Sequence, residues 1–414
     1  MNVHVVKTVP IEFKQVVDAY QKVRHGGKAA GIDGESWNDF DKKLQNNLYV
    51  IWRRLASGSY LPSAVRETEI LKKDGNMRKL GIPTLRDRIA QAVVKKYMEQ
   101  RIEPIFHESS YGYRPLRSAK QAIEEVRKNC KTTDWVIDLD ISKFFDEISH
   151  ELMLKAVAHV ITDKWVSMYV KRWLEMKIVD KQGQEHDRGG KGTPQGGVIS
   201  PLLANLYLHF SLDKWLENNY GHVKFVRYAD DMVLHCQSKA EAEDLLKAIQ
   251  QRLSTVELRL NEQKTQIVYC RDYRRTSSYS KVQFGFLGFS FQPRRSQGKY
   301  DKHTSYTAFT AEISKANQQK ITEAIKTEVY WRNTQQTIGE IAEKLNSKLV
   351  GWINYFGLYG KGELRKTMLR LERRLLKWIK KKYKMTSLKR AIRKLSWIRK
   401  ENPVMFYHWQ KGYY

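Results

Sequence analysis

Cysteine, proline and long apolar runs are scarce in this chain of 414 residues, which has only 3 cysteines and 9 prolines. Cys130, Cys236 and Cys270 are odd in number and lie far apart, so a disulfide framework and a CxxC zinc site are excluded. No apolar run approaches membrane-spanning length, and the N-terminus has neither signal nor transit character. These absences predict a protein of a reducing, cytoplasmic compartment without a membrane partner.

Acidic residues are also few beside the basic ones. The chain has 45 Asp and Glu against 74 Lys and Arg, a formal net charge of +29. So large an excess indicates a polyanionic partner, because each phosphate that the protein neutralises releases condensed counterions. With 41% hydrophobic residues, the chain can bury a core and is not a disordered basic tail. Nucleic acid is therefore the expected partner.

Apolar periodicity predicts helices interleaved with short hairpins. Residues 66–82 predict a β-hairpin around a DGN turn, and residues 135–145 predict a strand. Ser200 followed by Pro201 predicts the N-cap and first turn of a helix. Residues 311–400 lack strand signals and predict several helices. This order indicates an α+β fold with a small antiparallel sheet, followed by an all-helical region.

Four aspartates lie on two of the predicted strands. Asp138 and Asp140 alternate with apolar residues in WVIDLDISKFF, so both carboxylates would lie on one face of a strand. Asp230 and Asp231 lie at the tip of a hairpin in FVRYADDMVLHC. If the two elements are neighbours in a sheet, at least three carboxylates converge and need a compensating charge. Either segment alone would be typical of surface acids, but both in so basic a chain favour a metal site.

Divalent cations would resolve this repulsion. Mg²⁺ takes hard oxygen ligands, and two such ions about 3.5–4 Å apart form the arrangement used in nucleotidyl transfer. We therefore expect two Mg²⁺ ions, with Mn²⁺ as a substitute. Zinc is disfavoured as the catalytic metal, since no His or Cys cluster accompanies the acids.

A series of motifs runs along nearly the whole chain. In order they are GIDGESW, LGIPTLRDRIAQ, SSYGYRPLRSA, DLDISKFFDEISH, GTPQGGVISPLLANLYL, YADD, LRLNEQKT, FLGFSF and LVGWINYFGLYG. Together they resemble the conserved blocks of group II intron-encoded reverse transcriptases, also called maturases. No Cys follows Cys270, so the resemblance is to the shorter members that lack an HNH endonuclease domain.

The resemblance implies a right-hand polymerase. Residues 1–60 would form the N-terminal extension and first fingers block, and residues 61–300 the fingers and the palm with its small antiparallel sheet. Residues 301–414 would form an all-helical thumb or maturase-specific domain with a basic C-terminal tail. We expect these boundaries to hold within the α+β fold.

The resemblance also implies the site residues. The metal ligands and the general acid for pyrophosphate would be Asp140, the Ile141 carbonyl, Asp230, Asp231 and Lys264. Nucleotide contacts would come from Lys72, Arg78, Ile141, Phe145 and Gln195. The Phe145 ring would exclude a 2′-hydroxyl and so select deoxynucleotides. By themselves, Lys72, Arg78 and Lys264 would also be typical of exposed surface cations.

A basic segment lies near the C-terminus. Residues 361–400 contain 17 Lys or Arg against only Glu363 and Glu372. A charge run is usually a solvated helical face. Here aromatic and leucine residues are interleaved at helical spacing, which predicts a bundle with a basic outer surface. RNA contacts are expected at Lys348, Arg373, Arg374, Lys377 and Lys380.

The resulting hypothesis is an RNA-directed DNA polymerase of the bacterial cytoplasm. Its partners would be intron RNA, an RNA template with a DNA primer, and deoxynucleoside triphosphates, and RNA binding would assist splicing and retromobility. One alternative is an RNA-binding maturase scaffold without polymerase activity. Another is a host-adopted enzyme of the same type in repair or phage defence. An RNA-dependent RNA polymerase would share the paired acids, but Phe145 argues against it.

Overall fold

The computed structural model describes residues 9–71, 77–297 and 305–414. Its strands are β1 (Val65–Leu71), β2 (Met77–Ile82), β3 (Trp135–Asp140), β4 (Ile178–Val179), β5 (Glu185–His186), β6 (Lys224–Tyr228), β7 (Asp231–Cys236), β8 (Gln266–Tyr269), β9 (Phe284–Phe286), β10 (Phe289–Gln297) and β11 (Ser305–Ile313). The DGN turn predicted between β1 and β2 lies outside the described residues.

The helices precede, separate and follow these strands. They are α1 (Phe13–Arg24), α2 (Trp37–Lys42), α3 (Leu44–Ala56), α4 (Leu85–Ile102), α5 (Ala119–Asn129), α6 (Phe144–Glu147), α7 (His150–Val160), α8 (Lys164–Leu174), α9 (Ser200–Leu208), α10 (Lys214–Asn219), α11 (Lys239–Thr255), α12 (Lys315–Thr327), α13 (Ile338–Phe356), α14 (Lys361–Lys382), α15 (Leu388–Glu401) and α16 (Tyr407–Gln410). A π-helix, His209–Asp213, joins α9 to α10.

The chain divides into two compact units. The first comprises Met1–Ser118, Leu139–Leu234 and Glu243–Gln266, and the second Ala119–Asp138, His235–Ala242 and Ile267–Tyr414. The strand orders in the sheets are β2-β1-β4-β5, β6-β7-β3-β8 and β11-β10-β9. In the predicted 66–82 hairpin, β1 and β2 pair antiparallel, with Arg66 opposite Ile82.

In the first unit, α4 is buried around most of its circumference. Its N-cap Thr84 accepts a hydrogen bond from the Asp87 backbone N–H, and the buried Asp87 carboxylate accepts one from the Tyr60 hydroxyl at 2.8 Å. Arg88 donates to the carbonyl of Gly27 at 2.9 Å. These bonds hold the chain before GIDG against the start of α4. A Cβ on Gly31 would lie 2.6 Å from the Thr84 Cα, so only glycine permits this approach.

In the second unit, α12–α16 surround one apolar core that includes Leu345, Leu371 and Leu395. The buried Glu372 accepts hydrogen bonds from His408 Nε2 at 2.7 Å and from Trp409 Nε1 at 2.6 Å. Burial lowers the pKa of His408, and Glu372 partly opposes that shift. The carboxylate therefore fastens the C-terminal residues to α14 from inside the bundle.

Three local expectations differ from the structure. The strand predicted at 135–145 ends at Asp140, because Lys143 adopts a left-handed conformation (φ 44°) and α6 begins after it. Ser200 is the first residue of α9 and not its N-cap, since its hydroxyl donates instead to the Pro194 carbonyl at 2.8 Å. Residues 305–313 form a strand paired with β10, before the predicted helices begin.

No helix in the described part of the chain is long and apolar enough to cross a bilayer. Cys130, Cys236 and Cys270 are unoxidised and buried.

Candidate active site

The two acid-bearing segments lie on neighbouring strands. Asp140 is the last residue of β3, Asp231 is the first residue of β7, and β3 and β7 are adjacent in their sheet. On β3, Asp138 and Asp140 are half-buried whereas Leu139 is buried, as the alternation predicted. The sequence predicted that the carboxylates would converge if these two strands were neighbours, and β3 and β7 are neighbours.

The end of β3 is held by the LRLNEQKT segment. The Asp140 carbonyl accepts a hydrogen bond from the Asn261 N–H at 2.9 Å, and the Asp140 N–H donates to Thr265 Oγ1 at 3.2 Å. The ammonium group of Lys264 lies 3.8 Å from the Asp140 carboxylate and remains largely exposed. This segment therefore sets the position of Asp140 and brings the candidate general acid beside it.

The carbonyl of Ile141 is the predicted backbone ligand. Ile141 forms an antiparallel bridge with Leu260, and the flanking hydrogen bonds run from Asn261 to Asp140 and from Ser142 to Arg259. Neither bond uses the Ile141 carbonyl. The pairing pattern therefore leaves this oxygen out of the bridge while fixing the backbone on both sides.

The turn that bears Asp230 is tightly constrained. Ala229 adopts a left-handed conformation (φ 58°), which costs a residue with a Cβ on the order of 1 kcal/mol. Gly112, in the SSYGYRPLRS loop, lies against this turn: a Cβ there would come within 2.4 Å of the Ala229 nitrogen. Close backbone packing by Gly112 thus holds the turn that bears Asp230 in place.

A buried arginine supports the same turn from inside the first unit. Arg227, 1% exposed, forms a two-point ion pair with Asp213, with Nε 2.8 Å from Oδ1. Its Nη1 donates to Asn205 Oδ1 at 2.9 Å and to the Ala229 carbonyl at 3.1 Å. Asn205 in turn donates to the Gly112 carbonyl at 2.6 Å. The Arg227 guanidinium therefore contacts the Ala229 carbonyl directly and is linked to the Gly112 carbonyl through Asn205.

The π-helix places Asp213 in this network. A π-helix adds a residue to the helical turn and is frequent at functional sites. His209 begins it, is fully buried, and has Nδ1 4.0 Å from Asp213 Oδ2. Burial lowers the pKa of His209 to about 4, an effect that Asp213 partly opposes and that Arg227, Lys214 and His107 reinforce.

Phe145 and Gln195 are linked through the TPQGG loop. The Thr193 N–H donates to the Phe145 carbonyl at 2.8 Å, and Gln195 Nε2 donates to Asp146 Oδ1 at 3.3 Å. Gly192 (φ 82°) lies so close that a Cβ would come within 2.9 Å of the Asp146 carbonyl. The loop thus holds the segment that carries the predicted sugar gate, and Phe145 lies on α6 and not on the predicted strand.

The same loop contacts the β1–β2 hairpin. The Gly81 N–H of β2 donates to the Gln195 carbonyl at 2.9 Å. Arg78 belongs to β2 and pairs with Ile70 in the hairpin register. Lys72 lies outside the described residues. The backbone of Gln195 is therefore tied to the hairpin predicted to hold the triphosphate.

The fit of a metal to this site rests on donor chemistry. Across residues 9–71, 77–297 and 305–414, no three acidic, His or Cys side chains are arranged closely enough to enclose a metal ion. The side chains of Asp140, Asp230 and Asp231 nevertheless supply only carboxylate oxygens, the ligands that Mg²⁺ prefers. These residues fit Mg²⁺ by ligand type and lie on adjacent strands, but the convergence of at least three carboxylates that the sequence predicted is not found among the described residues.

The candidate RNA contacts lie in the second unit. Arg373, Lys377 and Lys380 are exposed on α14. Arg374 is half-buried, with its guanidinium carbon 5.8 Å from the centroid of the Trp331 ring. Lys348 forms an ion pair with Glu328. Three of the five cations therefore line an outer helix face, and the other two have contacts within the unit.

Gly112, Asn205, Asp213 and Arg227 were missed by sequence reasoning. Arg227 directly precedes YADD, and a charged residue in an otherwise apolar strand was a signal that it is buried and paired. Asp213 and Asn205 gave no such signal, since their partner lies 14 and 22 residues away. The positions of these residues depend on tertiary packing.

Two protein-family models match parts of this chain. A family model described as reverse transcriptase (RNA-dependent DNA polymerase) matches residues 70–291, and one described as group II intron, maturase-specific domain matches residues 318–397. Protein YkfC of Escherichia coli (strain K12) is 34% identical over 284 residues, which cover 60% of this chain and 74% of YkfC. Group II intron-encoded protein LtrA of Lactococcus lactis subsp. cremoris is 31% identical over 251 residues, 60% of this chain and 40% of LtrA.

Among solved structures, an apo telomerase from Candida tropicalis, truncated from its C-terminal domain, aligns with 56% of this chain and 53% of its own at a TM-score of 0.42 and 14% identity. The chain spans less than half the length of LtrA. The first family match covers more than half of this chain. It confirms the predicted class of enzyme, RNA-directed DNA polymerase, and the α+β polymerase fold with fingers and palm.

Proposed function

Because this chain belongs to the reverse transcriptase family and carries a group II intron maturase-specific domain, we propose that it copies RNA into DNA and binds the intron RNA to assist splicing and retromobility. The adjacency of β3 and β7, which brings Asp140 and Asp231 onto neighbouring strands, supports the polymerase role most directly. The proposed setting is the bacterial cytoplasm.

In this proposal the carboxylates of Asp140, Asp230 and Asp231, with the Ile141 carbonyl, would hold two Mg²⁺ ions. Such ions, when bound, lower the pKa of a primer 3′-hydroxyl and stabilise the leaving pyrophosphate. Lys264, whose ammonium lies beside Asp140, donates a proton to the pyrophosphate as it leaves. The protein thus positions charge and supplies one proton, and the substrates carry the reacting groups.

Nucleotide selection is assigned to the segment held by the TPQGG loop. Phe145 presents its ring where a 2′-hydroxyl would be excluded, and Gln195 contacts the pair formed by the incoming nucleotide and the template. Arg78 and Lys72 hold the triphosphate from the hairpin, where an Arg can form two parallel bonds to phosphate oxygens. Two backbone bonds support these positions: the Thr193 N–H donates to the Phe145 carbonyl, and the Gly81 N–H donates to the Gln195 carbonyl.

RNA binding is assigned to the basic outer face of α14 in the second unit. Binding that favours the folded intron over its unfolded states assists splicing by mass action and needs no chemistry from the protein. The exposed Arg373, Lys377 and Lys380 support this role, since they lie on one face of the helix.

The first experiment is primer extension on an RNA template with Mg²⁺, comparing deoxynucleotides with ribonucleotides. Asp230→Ala is expected to abolish DNA synthesis while RNA binding remains close to that of the wild type. Asp244→Asn is the matched control, because this exposed acid on α11 lies 3.5 Å from the Lys247 ammonium at the surface of the same helix. A folded, RNA-binding wild type that makes no product would favour the scaffold alternative, and a ribonucleotide product would contradict the assignment of Phe145.

A further inference from the structure

Exposed aromatic rings and cations form a cluster at the end of α14 and on α15. We call Tyr383, Arg393, Lys394, Trp397 and Lys400 the Trp397 patch. The Trp397 side chain is 55% exposed and that of Tyr383 46% exposed. The Lys394 ammonium lies 4.5 Å from the Trp397 ring centroid and 5.4 Å from that of Tyr383. One cation thus lies close to two exposed rings.

The helix itself orients this patch away from the core. Ala391, Leu395 and Ile398 are buried and define the inner face of α15. Trp397 lies on the opposite side, with Arg393 four residues before it. Residues three and four apart are neighbours on a helix surface, so Arg393 and Lys400 flank the indole. Glu401 is the only acid on this helix.

A role in the protein core does not explain Trp397. The bundle core is filled by other side chains, and the indole leaves about half of its surface in water at a cost in apolar hydration. A face that served only solubility would be expected to carry the cations without a large aromatic ring. A ring within a cationic surface is instead the combination that binds nucleic acid, in which bases stack on the ring and cations neutralise phosphates.

Two other partners fit this surface less well. Protein interfaces are depleted of Lys at their centre, whereas Lys394 lies at the centre of the patch. A helix that lies on a membrane inserts a wide apolar face, but Ala391, Leu395 and Ile398 of α15 pack in the bundle core. Only Leu388 and Ile392 remain exposed on this helix as apolar side chains besides Trp397. Charge complementarity therefore favours RNA.

We propose that the Trp397 patch binds RNA by stacking one unpaired base on the Trp397 indole, while Arg393 and Lys400 contact the flanking phosphates. This inference deepens the proposed RNA-binding function and rests on it. Since every base has a π-face, the contact is tolerant of sequence but requires a base that is not paired. The patch therefore distinguishes single-stranded segments from continuous duplex.

The test measures binding of the full-length protein to a short oligouridine RNA and to a fully paired RNA duplex. Trp397→Ala is expected to weaken oligouridine binding roughly tenfold and to leave duplex binding unchanged. Trp397→Phe, which keeps a stacking face, is expected to retain most of the affinity. Because stacking releases no counterions, Trp397→Ala leaves the salt dependence unchanged, whereas Arg393→Gln with Lys400→Gln makes it shallower.

Leu388→Ala is the matched control, because Leu388 is 57% exposed on the same helix but offers no π-face. Unchanged oligouridine binding by Trp397→Ala, or equal loss of oligouridine and duplex binding, would overturn the proposal. Two further outcomes for Trp397→Ala with intact RNA affinity would also overturn the proposal. Loss of binding to phosphatidylserine vesicles would assign the patch to a lipid surface, and loss of self-association in sedimentation would assign it to a second copy of this chain. If the wild type extends primers but binds neither the oligouridine nor the duplex in a binding assay, the RNA-binding role would be overturned. The polymerase role would stand in that case.

Discussion

Arg227 and Asp213 form a buried two-point ion pair next to the turn that bears Asp230. The same guanidinium donates to the Ala229 carbonyl in that turn. A buried ion pair contributes little net stability compared with apolar residues, because both charges lose hydration. Its value here lies in fixing the geometry of the turn.

Removing one partner of this pair should therefore be costly. Arg227→Met leaves the Asp213 carboxylate buried without its partner, and we expect the free energy of unfolding to fall by roughly 3–5 kcal/mol. Adding Asp213→Leu should restore most of that stability, as measured by urea denaturation, but not DNA synthesis, because the bond to Ala229 is still missing. Recovery of both properties would contradict a role in positioning the turn.

Gly112 provides a second test of the same turn. Gly112→Ala places a Cβ 2.4 Å from the Ala229 nitrogen, so the turn must move. Small misplacements of reacting groups can lower rates by about 100-fold, and we expect a loss of that order in primer extension. The control is Gly351→Ala on α13, where a Cβ meets nothing within 4 Å and should stabilise the helix by roughly 0.5–1 kcal/mol. Wild-type activity in Gly112→Ala would show that the turn tolerates displacement.

Sugar selection should depend on Phe145 and not on its neighbour. Phe145→Ala removes the ring proposed to exclude the 2′-hydroxyl, so the ratio of ribonucleotide to deoxynucleotide incorporation should rise. Phe144 is 2% exposed, and Phe144→Ala should cost roughly 3–5 kcal/mol of stability without changing that ratio. Single-nucleotide incorporation kinetics measure the ratio directly. A ratio unchanged in Phe145→Ala would exclude the sugar gate.

The outer face of α14 should govern the salt dependence of RNA binding. Replacing Arg373, Lys377 and Lys380 by Gln should weaken intron RNA binding and reduce the slope of log K against log salt by about 2, if each contacts one phosphate. Lys326→Gln is the control, because this exposed cation on α12 is not among the predicted RNA contacts and lies 2.9 Å from the Glu323 carboxylate. A wild-type slope in the triple variant would contradict RNA binding by this face and would favour the interpretation of α14 as a solvated helix.

Acid should destabilise the first unit through His209. The pKa of this histidine is lowered to about 4 by burial, so the unfolded chain binds the proton more readily between pH 6.5 and 4. Stability is fully present above pH 6.5 and is lost as the pH falls through that window. His408 in the second unit, whose pKa is also lowered, contributes with the same sign. Unfolding curves of His209→Gln should depend less steeply on pH than those of wild type, and an identical dependence would contradict the assignment.

The regular elements near the site were predictable because they depend on local patterns. Alternation around Asp138 and Asp140 predicted the face of β3, and the paired acids predicted the turn before β7. The prediction of Ser200 as an N-cap was wrong because its hydroxyl donates to the Pro194 carbonyl instead of accepting a bond from an N–H of its own helix. The sequence alone does not show which of these two hydrogen bonds is the more stable.

The supports of the site could not be predicted in the same way. The π-helix has no sequence signature, and the pairing of Arg227 with Asp213 requires two elements to pack first. β11 carries alternating apolar residues, among them Phe309, Ala311 and Ile313, but the change in composition near residue 310 obscured this period. Long-range packing, and not local propensity, determines these features.

Glu372 has a practical consequence for anyone who edits this chain. Two of its hydrogen-bond donors, His408 and Trp409, lie on α16. Cutting the chain before that helix would leave the buried Glu372 carboxylate without these two donors. Fusion partners and purification tags should therefore be placed so that α16 stays intact. A truncation meant to trim a tail would instead remove part of the hydrogen-bond network that keeps α14 in place.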